Sequence, residues 1–275
     1  MVQSNMYKRA RTGRLAILLL VFASTTSVWA QEPPAIELLL TRGGTYVNEF
    51  VTQFSNVVAQ EQYLQTWRGF RRQLNSDFLM IQPKDAPGYF AFRDVLTVDG
   101  KPVRGTERLM KLLLEPSQNT FDRASEISAE GARYTFGNLF SSPIDVLIFV
   151  QSTFQPRFRF TVGGQDTNLG PNVWEVTYTE LAKPSVLRGP RNTDILANGR
   201  FWIEADTGRI AKTELTLGNT SVVTTFQFDE RFKINVPTEM TSRYRYQNYT
   251  VFGTATYGRF RRFGVTTEES LPPEK

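Results

Sequence analysis

The chain has 275 residues, 40% of them hydrophobic and 13% aromatic, with a formal charge of +5 and neither histidine nor cysteine. That composition excludes Ser-His-Asp and Cys-His catalysis, zinc sites built on imidazole or thiolate, and disulfide staples. Carboxylate, Lys, Tyr or Ser-Lys chemistry, and calcium or magnesium on oxygen ligands, stay open.

At the start, Lys8, Arg9, Arg11 and Arg14 precede an apolar run over residues 15–23, and Val28-Trp29-Ala30 offers small residues where signal peptidase reads. This predicts a signal peptide over residues 1–30 and an exported, periplasmic or extracellular, chain beginning at Gln31. The apolar run is shorter than the roughly 20 residues that cross a bilayer. With no cysteine to carry a lipid, the expected membrane association is peripheral at most. Without its four leading cations the chain is left near +1, so its net charge makes no case for nucleic acid. Some 245 residues must then hold together by packing alone.

Ile36, Leu39, Leu40, Val47, Phe50, Phe54, Val57 and Val58 recur at helical spacings and predict an amphipathic helix lying on a sheet, frayed or broken at Gly43-Gly44. Residues 63–103 read as two or three antiparallel strands, with Asp99-Gly100 a tight hairpin turn. Thr106 caps an expected helix running to Leu114 and stopping before Pro116, and a second begins near Thr120 with Phe121, Ala124, Ile127 and Ala132 on one side. Ser142-Pro143 is a helix start, and residues 144–150 are apolar almost all round, which predicts a buried helix.

From Gln155 the chain reads as strands. Phe158, Phe160 and Val162 alternate with Arg157, Arg159 and Thr161, and Trp174, Val176 and Tyr178 alternate with Val173, Glu175 and Thr177. Residues 199–215 form a hairpin turning at Asp206-Thr207-Gly208, where Asp206 accepts backbone N–H groups and Gly208 supplies positive φ. Phe201 and Ile203 point one way and Trp202 the other, so both faces need cover: a core, a layer or a cavity. Val222, Thr224, Phe226 and Phe228 share a face, as do Met240, Tyr244 and Tyr246, and residues 250–265 give a last strand or pair. The fold class is α+β: a strongly curved antiparallel sheet, an incomplete β-barrel, with an N-terminal helix and an inserted helical segment. One domain covers residues 31–268, followed by a flexible tail at 269–275.

The Trp202-Ile203-Glu204 and Thr207-Gly208-Arg209 hairpin and the strand from Gly253 to Tyr257 resemble the periplasmic lipoprotein-carrier (Lol-type) superfamily. Most of the exported chain also resembles a group of uncharacterised exported proteins of soil bacteria, through residues 54–59, 92–95, 98–103 and 257–263. The carrier resemblance implies a convex half-barrel whose apolar mouth is plugged by helices that a bound acyl chain can replace. The helical insert at residues 105–150 is longer than that family's.

On this basis the expected function is a non-catalytic exported module that binds or carries a lipid or other apolar ligand, without cofactor or metal. Leu147 and Ile148 act as plug or as plain buried core. Phe158, Phe160, Trp174, Tyr178, Phe226, Phe228 and Tyr244 line a cavity or pack a core. The alternatives are an envelope protein-interaction or signalling domain with a filled barrel, and a histidine-free hydrolase using Asp94 with Asp99, or Glu204 with Glu214. Arg68, Arg71 and Arg72, and Arg259, Arg261 and Arg262, read either as solvated strand faces or as groups that meet a phosphate, a glycan or an acidic partner. Asp166, Asn168 and Gly170 make only part of a calcium-loop pattern.

Overall fold

The computed structural model describes residues 32–55, 57–82, 88–103, 108–114, 119–137, 141–189 and 192–262. The expected signal peptide and tail, with Thr106 and Pro116, lie outside the described residues. Helix α1 (Ile36–Phe54) is followed by β1 (Val57–Trp67), β2 (Phe70–Ile81), β3 (Phe90–Val98) and β4 (Lys101–Pro102). Then come α2 (Arg108–Leu114), α3 (Thr120–Ala132) and a 3-10 helix (Asp145–Val150). A short 3-10 turn (Gln155–Arg157) leads into β5 (Phe158–Gln165), β6 (Val173–Glu180), β7 (Arg188–Gly189), β8 (Thr193–Asp194) and β9 (Ala197–Glu204). The last strands are β10 (Ile210–Leu217), β11 (Thr220–Asp229), β12 (Ile234–Tyr246) and β13 (Tyr249–Arg262).

One 11-stranded sheet runs β4-β3-β2-β1-β13-β12-β11-β10-β9-β6-β5, with β7 and β8 paired apart. Neighbouring strands are antiparallel, and the ladders are interrupted at Val58/Gln60, Asn75/Ser76, Val162/Gln165, Ile210/Lys212 and Thr225/Phe226. Such bulges add twist and bend the strand that carries them. The sheet curls around α1, which touches β1, β5, β9 and β12, yet it does not close. A seam stays open between the β3–β4 edge and β5.

The core on the concave side is built from alternate strand residues and the apolar stripe of α1, with Leu39, Val47, Phe50 and Phe54 fully buried. Residues of the opposite parity in β1–β3, Val58, Leu79 and Phe92, form a second cluster with Leu109 and Leu112 of α2 and Ala124 and Ile127 of α3. The inserted helices therefore cover the convex face of one end of the sheet. Asp94 of β3 starts α2 by accepting the N–H groups of Arg108 (2.6 Å) and Leu109 (3.3 Å).

Three local expectations are corrected. Helix α1 ends at Phe54, and Val57 and Val58 open β1, facing opposite sides of the sheet. Helical spacing cannot be told from strand alternation over two adjacent apolar residues. Gly43-Gly44 neither breaks nor frays α1. Both glycines are buried, and a Cβ on either would stand 2.9 Å from Val150, so they admit a close neighbour. The apolar run at 144–150 is a 3-10 rather than an α-helix.

Candidate functional site

The seam is where the fold leaves an apolar face in need of cover, and the Asp145–Val150 helix fills it. Three residues per turn stack side chains at i and i+3. Val146 lies over Phe149 and Leu147 over Val150, and these four are buried, while the third row, Asp145 and Ile148, is half-buried. The segment touches both sides of the opening. Tyr89, just before β3, donates its hydroxyl to the Ile144 carbonyl (2.5 Å), and Ile148 closes over Gly88. On the far side Phe149 meets Phe158 of β5 with ring centroids 4.5 Å apart and Tyr178 of β6 at 5.4 Å. Beneath, Val150 packs on Gly43 and Gly44 of α1. The Gln155 side chain donates to the carbonyls of Leu40 (3.0 Å) and Val150 (2.6 Å).

A buried polar row holds the start of this cover. Glu61 and Gln65 occupy inward positions of β1, where alternation otherwise places Val57, Ala59 and Tyr63. Arg93 of β3 makes a two-pronged pair with Glu61 (2.6 and 2.8 Å) and donates to the Ser141 carbonyl (2.6 Å). Tyr257 of β13 donates to Glu61 at 2.7 Å. Burial pulls the Arg93 pKa down, but Glu61 beside it outweighs that and holds the guanidinium above its ordinary value. Burial, with Glu61 close by, pushes the Tyr257 phenol well up. Gln65 donates to Tyr244 (2.7 Å) and accepts from the Phe136 N–H (2.9 Å). Burial also raises the Asp145 carboxyl, against a hydrogen bond from Ser142 and the charge of Arg93.

The residues nominated from sequence fall into separate groups. Leu147 is buried and Ile148 half-buried on the cover; Phe158, Phe160 and Tyr178 lie beside it on β5 and β6. Trp174 and Phe226 are buried in the same core, away from these ring contacts. Tyr244 belongs to the Gln65 network, and Phe228 is 37% exposed beneath Arg209, whose guanidinium carbon is 4.1 Å from the ring centre. Trp202 needs no cavity. On the convex face its ring is covered by Arg200 and Lys212, with the Lys212 ammonium 4.4 Å from the centroid.

The nominated carboxylate pairs do not converge. Asp94 caps α2, Asp99 accepts the Gln73 N–H and pairs with Arg72, Glu204 holds Thr207, and Glu214 holds Arg200. Asp77 and Asp94 lie directly opposite across β2 and β3 and are balanced by Arg261 and Arg108. No group of three or more potential metal-ligating side chains occurs among the described residues.

No family model and no curated protein matches the chain. Among solved structures it resembles an outer membrane lipoprotein-sorting protein domain from Vibrio parahaemolyticus, at 10% identity and TM-score 0.40, over 85% of this chain and 95% of that one. It also resembles a DUF1329 family protein from Desulfovibrio piger (9%, TM-score 0.36, 88% and 96%) and a chain of the Pseudomonas aeruginosa MucA/MucB complex (7%, TM-score 0.21, 81% and 99%). Likenesses this weak assign neither a family nor a ligand.

Proposed function

We propose that the chain is an exported, non-catalytic binding module whose concave face takes an acyl chain or similar apolar ligand when the 141–150 segment leaves the seam. One observation carries this reading: the sheet is open, and the element spanning its two edges is a short 3-10 helix with five apolar side chains, four of them buried. Such helices hold themselves poorly by their own hydrogen bonds. This one is kept in place by side-chain contacts at its margins, which a competing apolar ligand can replace, with burial worth ~25 cal/mol per Å2. The ligand would meet Phe158, Phe160 and Tyr178 where Leu147, Ile148 and Phe149 lie now. Trp174, Phe226, Phe228 and Tyr244 would be reached only by a longer chain.

The test uses a fluorescent fatty-acid probe. Leu147→Ser with Ile148→Ser should weaken the cover, so that the variant binds the probe more tightly than wild type while keeping a cooperative melt. If it binds the probe only as it unfolds, and wild type binds none, the segment is plain core. The filled-barrel interaction domain then becomes the better reading.

A further inference from the structure

We propose that the tips of the β1–β2 and β12–β13 hairpins form a docking surface for an anionic phospholipid bilayer. The pairing of β1 with β13 brings the two tips side by side. On the concave side of the tips, Trp67, Phe70 and Tyr249 form one cluster, with Trp67 5.7 Å from each of the other two rings. On the convex side Phe252 has no ring contact among the described residues. Phe70 is 63% and Phe252 53% exposed, so most of each ring faces solvent. Amphipathic rings such as Trp67 and Tyr249 favour the headgroup layer of a membrane, and exposed phenylalanines gain by entering the apolar layer beneath it.

The charge of the same region selects the partner. Residues 64–73 and 243–252 contain five arginines and no acidic or lysine side chain, although the exported chain as a whole is nearly neutral. Cross-strand register sets Arg71 opposite Thr66, Thr66 opposite Phe252, and Phe252 opposite Arg243, so the exposed phenylalanine is flanked by cations along one row. Arg68, at the turn with φ +49°, stacks on Tyr249 at 4.0 Å and leaves its charge at the tip. Among the described residues, Arg72 alone of the five pairs with a carboxylate, Asp99 at 3.0 Å. Aromatic side chains at two neighbouring tips, with Arg68 at the turn and Arg71, Arg243 and Arg245 on the convex face meeting no carboxylate among the described residues, match the layered chemistry of a bilayer surface: apolar below, phosphate above. The ligand site proposed at the seam is not needed for this inference.

Protein expressed from the full chain and recovered after export is mixed with vesicles of phosphatidylglycerol and phosphatidylethanolamine, or of phosphatidylcholine alone, and floated on a density gradient. Binding is expected to the anionic vesicles, weakening as salt screens the arginines. Arg71→Glu with Arg243→Glu should lower the partition coefficient at least tenfold, at ~5-fold per basic residue near a charged surface. Phe70→Ser with Phe252→Ser should lower it at low and high salt alike. These side chains are exposed, so melting should stay within a few degrees of wild type. Equal binding to both vesicle types, or anionic binding that both double variants retain, overturns the proposal. So does wild type that stays with the soluble fraction throughout, including where it instead binds an acidic protein through these arginines.

Discussion

Gly208 shows how one residue answers two constraints. Its φ is +75°, as the turn requires, and an added Cβ would come within 2.3 Å of the Arg42 carbonyl group on α1. The turn docks on the helix, where Arg42 donates to the Ala205 carbonyl. Gly208→Val should therefore cost about 2–5 kcal/mol, combining backbone strain with overpacking, as read by chemical denaturation. Stability equal to wild type would show that the turn does not dock. Asp206 has a different role from the one its turn position implies: it accepts the Asn172 amide at 2.8 Å and joins the turn to the residue before β6. Asp206→Ala should cost about 0.5–1.5 kcal/mol in the same assay.

At the scale of the element, the 3-10 helix at the seam carries a desolvated carboxyl in its first turn. Burial raises the Asp145 pKa above its unfolded value. The ionised form is therefore the unfavourable one when folded, and its penalty is complete above the raised pKa. The penalty fades as pH falls through that value towards the ordinary carboxylate range. Asp145→Asn keeps an acceptor for Ser142 and removes the charge. The variant should be more stable than wild type at neutral pH, and the gap should close on acidification. Paired denaturation curves across pH read this directly; a gap that widens in acid would mean that the carboxylate is stabilised where it stands.

At the scale of the whole molecule, Arg93 and Glu61 connect β3, β1, β13 and the cover in one buried unit. Arg93→Met would strand Glu61, fully buried, without its cation. A loss of about 3–5 kcal/mol is expected. Glu61→Met with Arg93→Met should cost less than either single change, since no buried charge is left alone. A double-mutant cycle measures this, and additive losses would show the pair to be uncoupled. If Arg93 also tethers the cover through Ser141, the double variant should take up the acyl probe more readily than wild type.

By itself the sequence determined the elements whose signals are local. The α1 stripe, the Asp99-Gly100 turn with φ of +49° and +78°, and the alternating strands of the second half follow from spacing, turn chemistry and period-two burial. It also ruled out imidazole and thiolate chemistry. Relations between distant residues were left to the tertiary structure. The strand alternation that makes Glu61 and Gln65 inward became visible only once β1 was seen to begin at Val57, and their partners lie 32 and 179 residues away. The two glycines of α1 looked like a break because the Val150 that needs their small size is a hundred residues on. The seam exists because bulges curl the sheet without closing it. Phe70 and Phe252 come to neighbouring hairpin tips, on opposite faces of the sheet, because β1 pairs with β13. Register across long sequence separations is fixed by global packing, and a strand's own sequence records which face is apolar but not which strand will lie beside it.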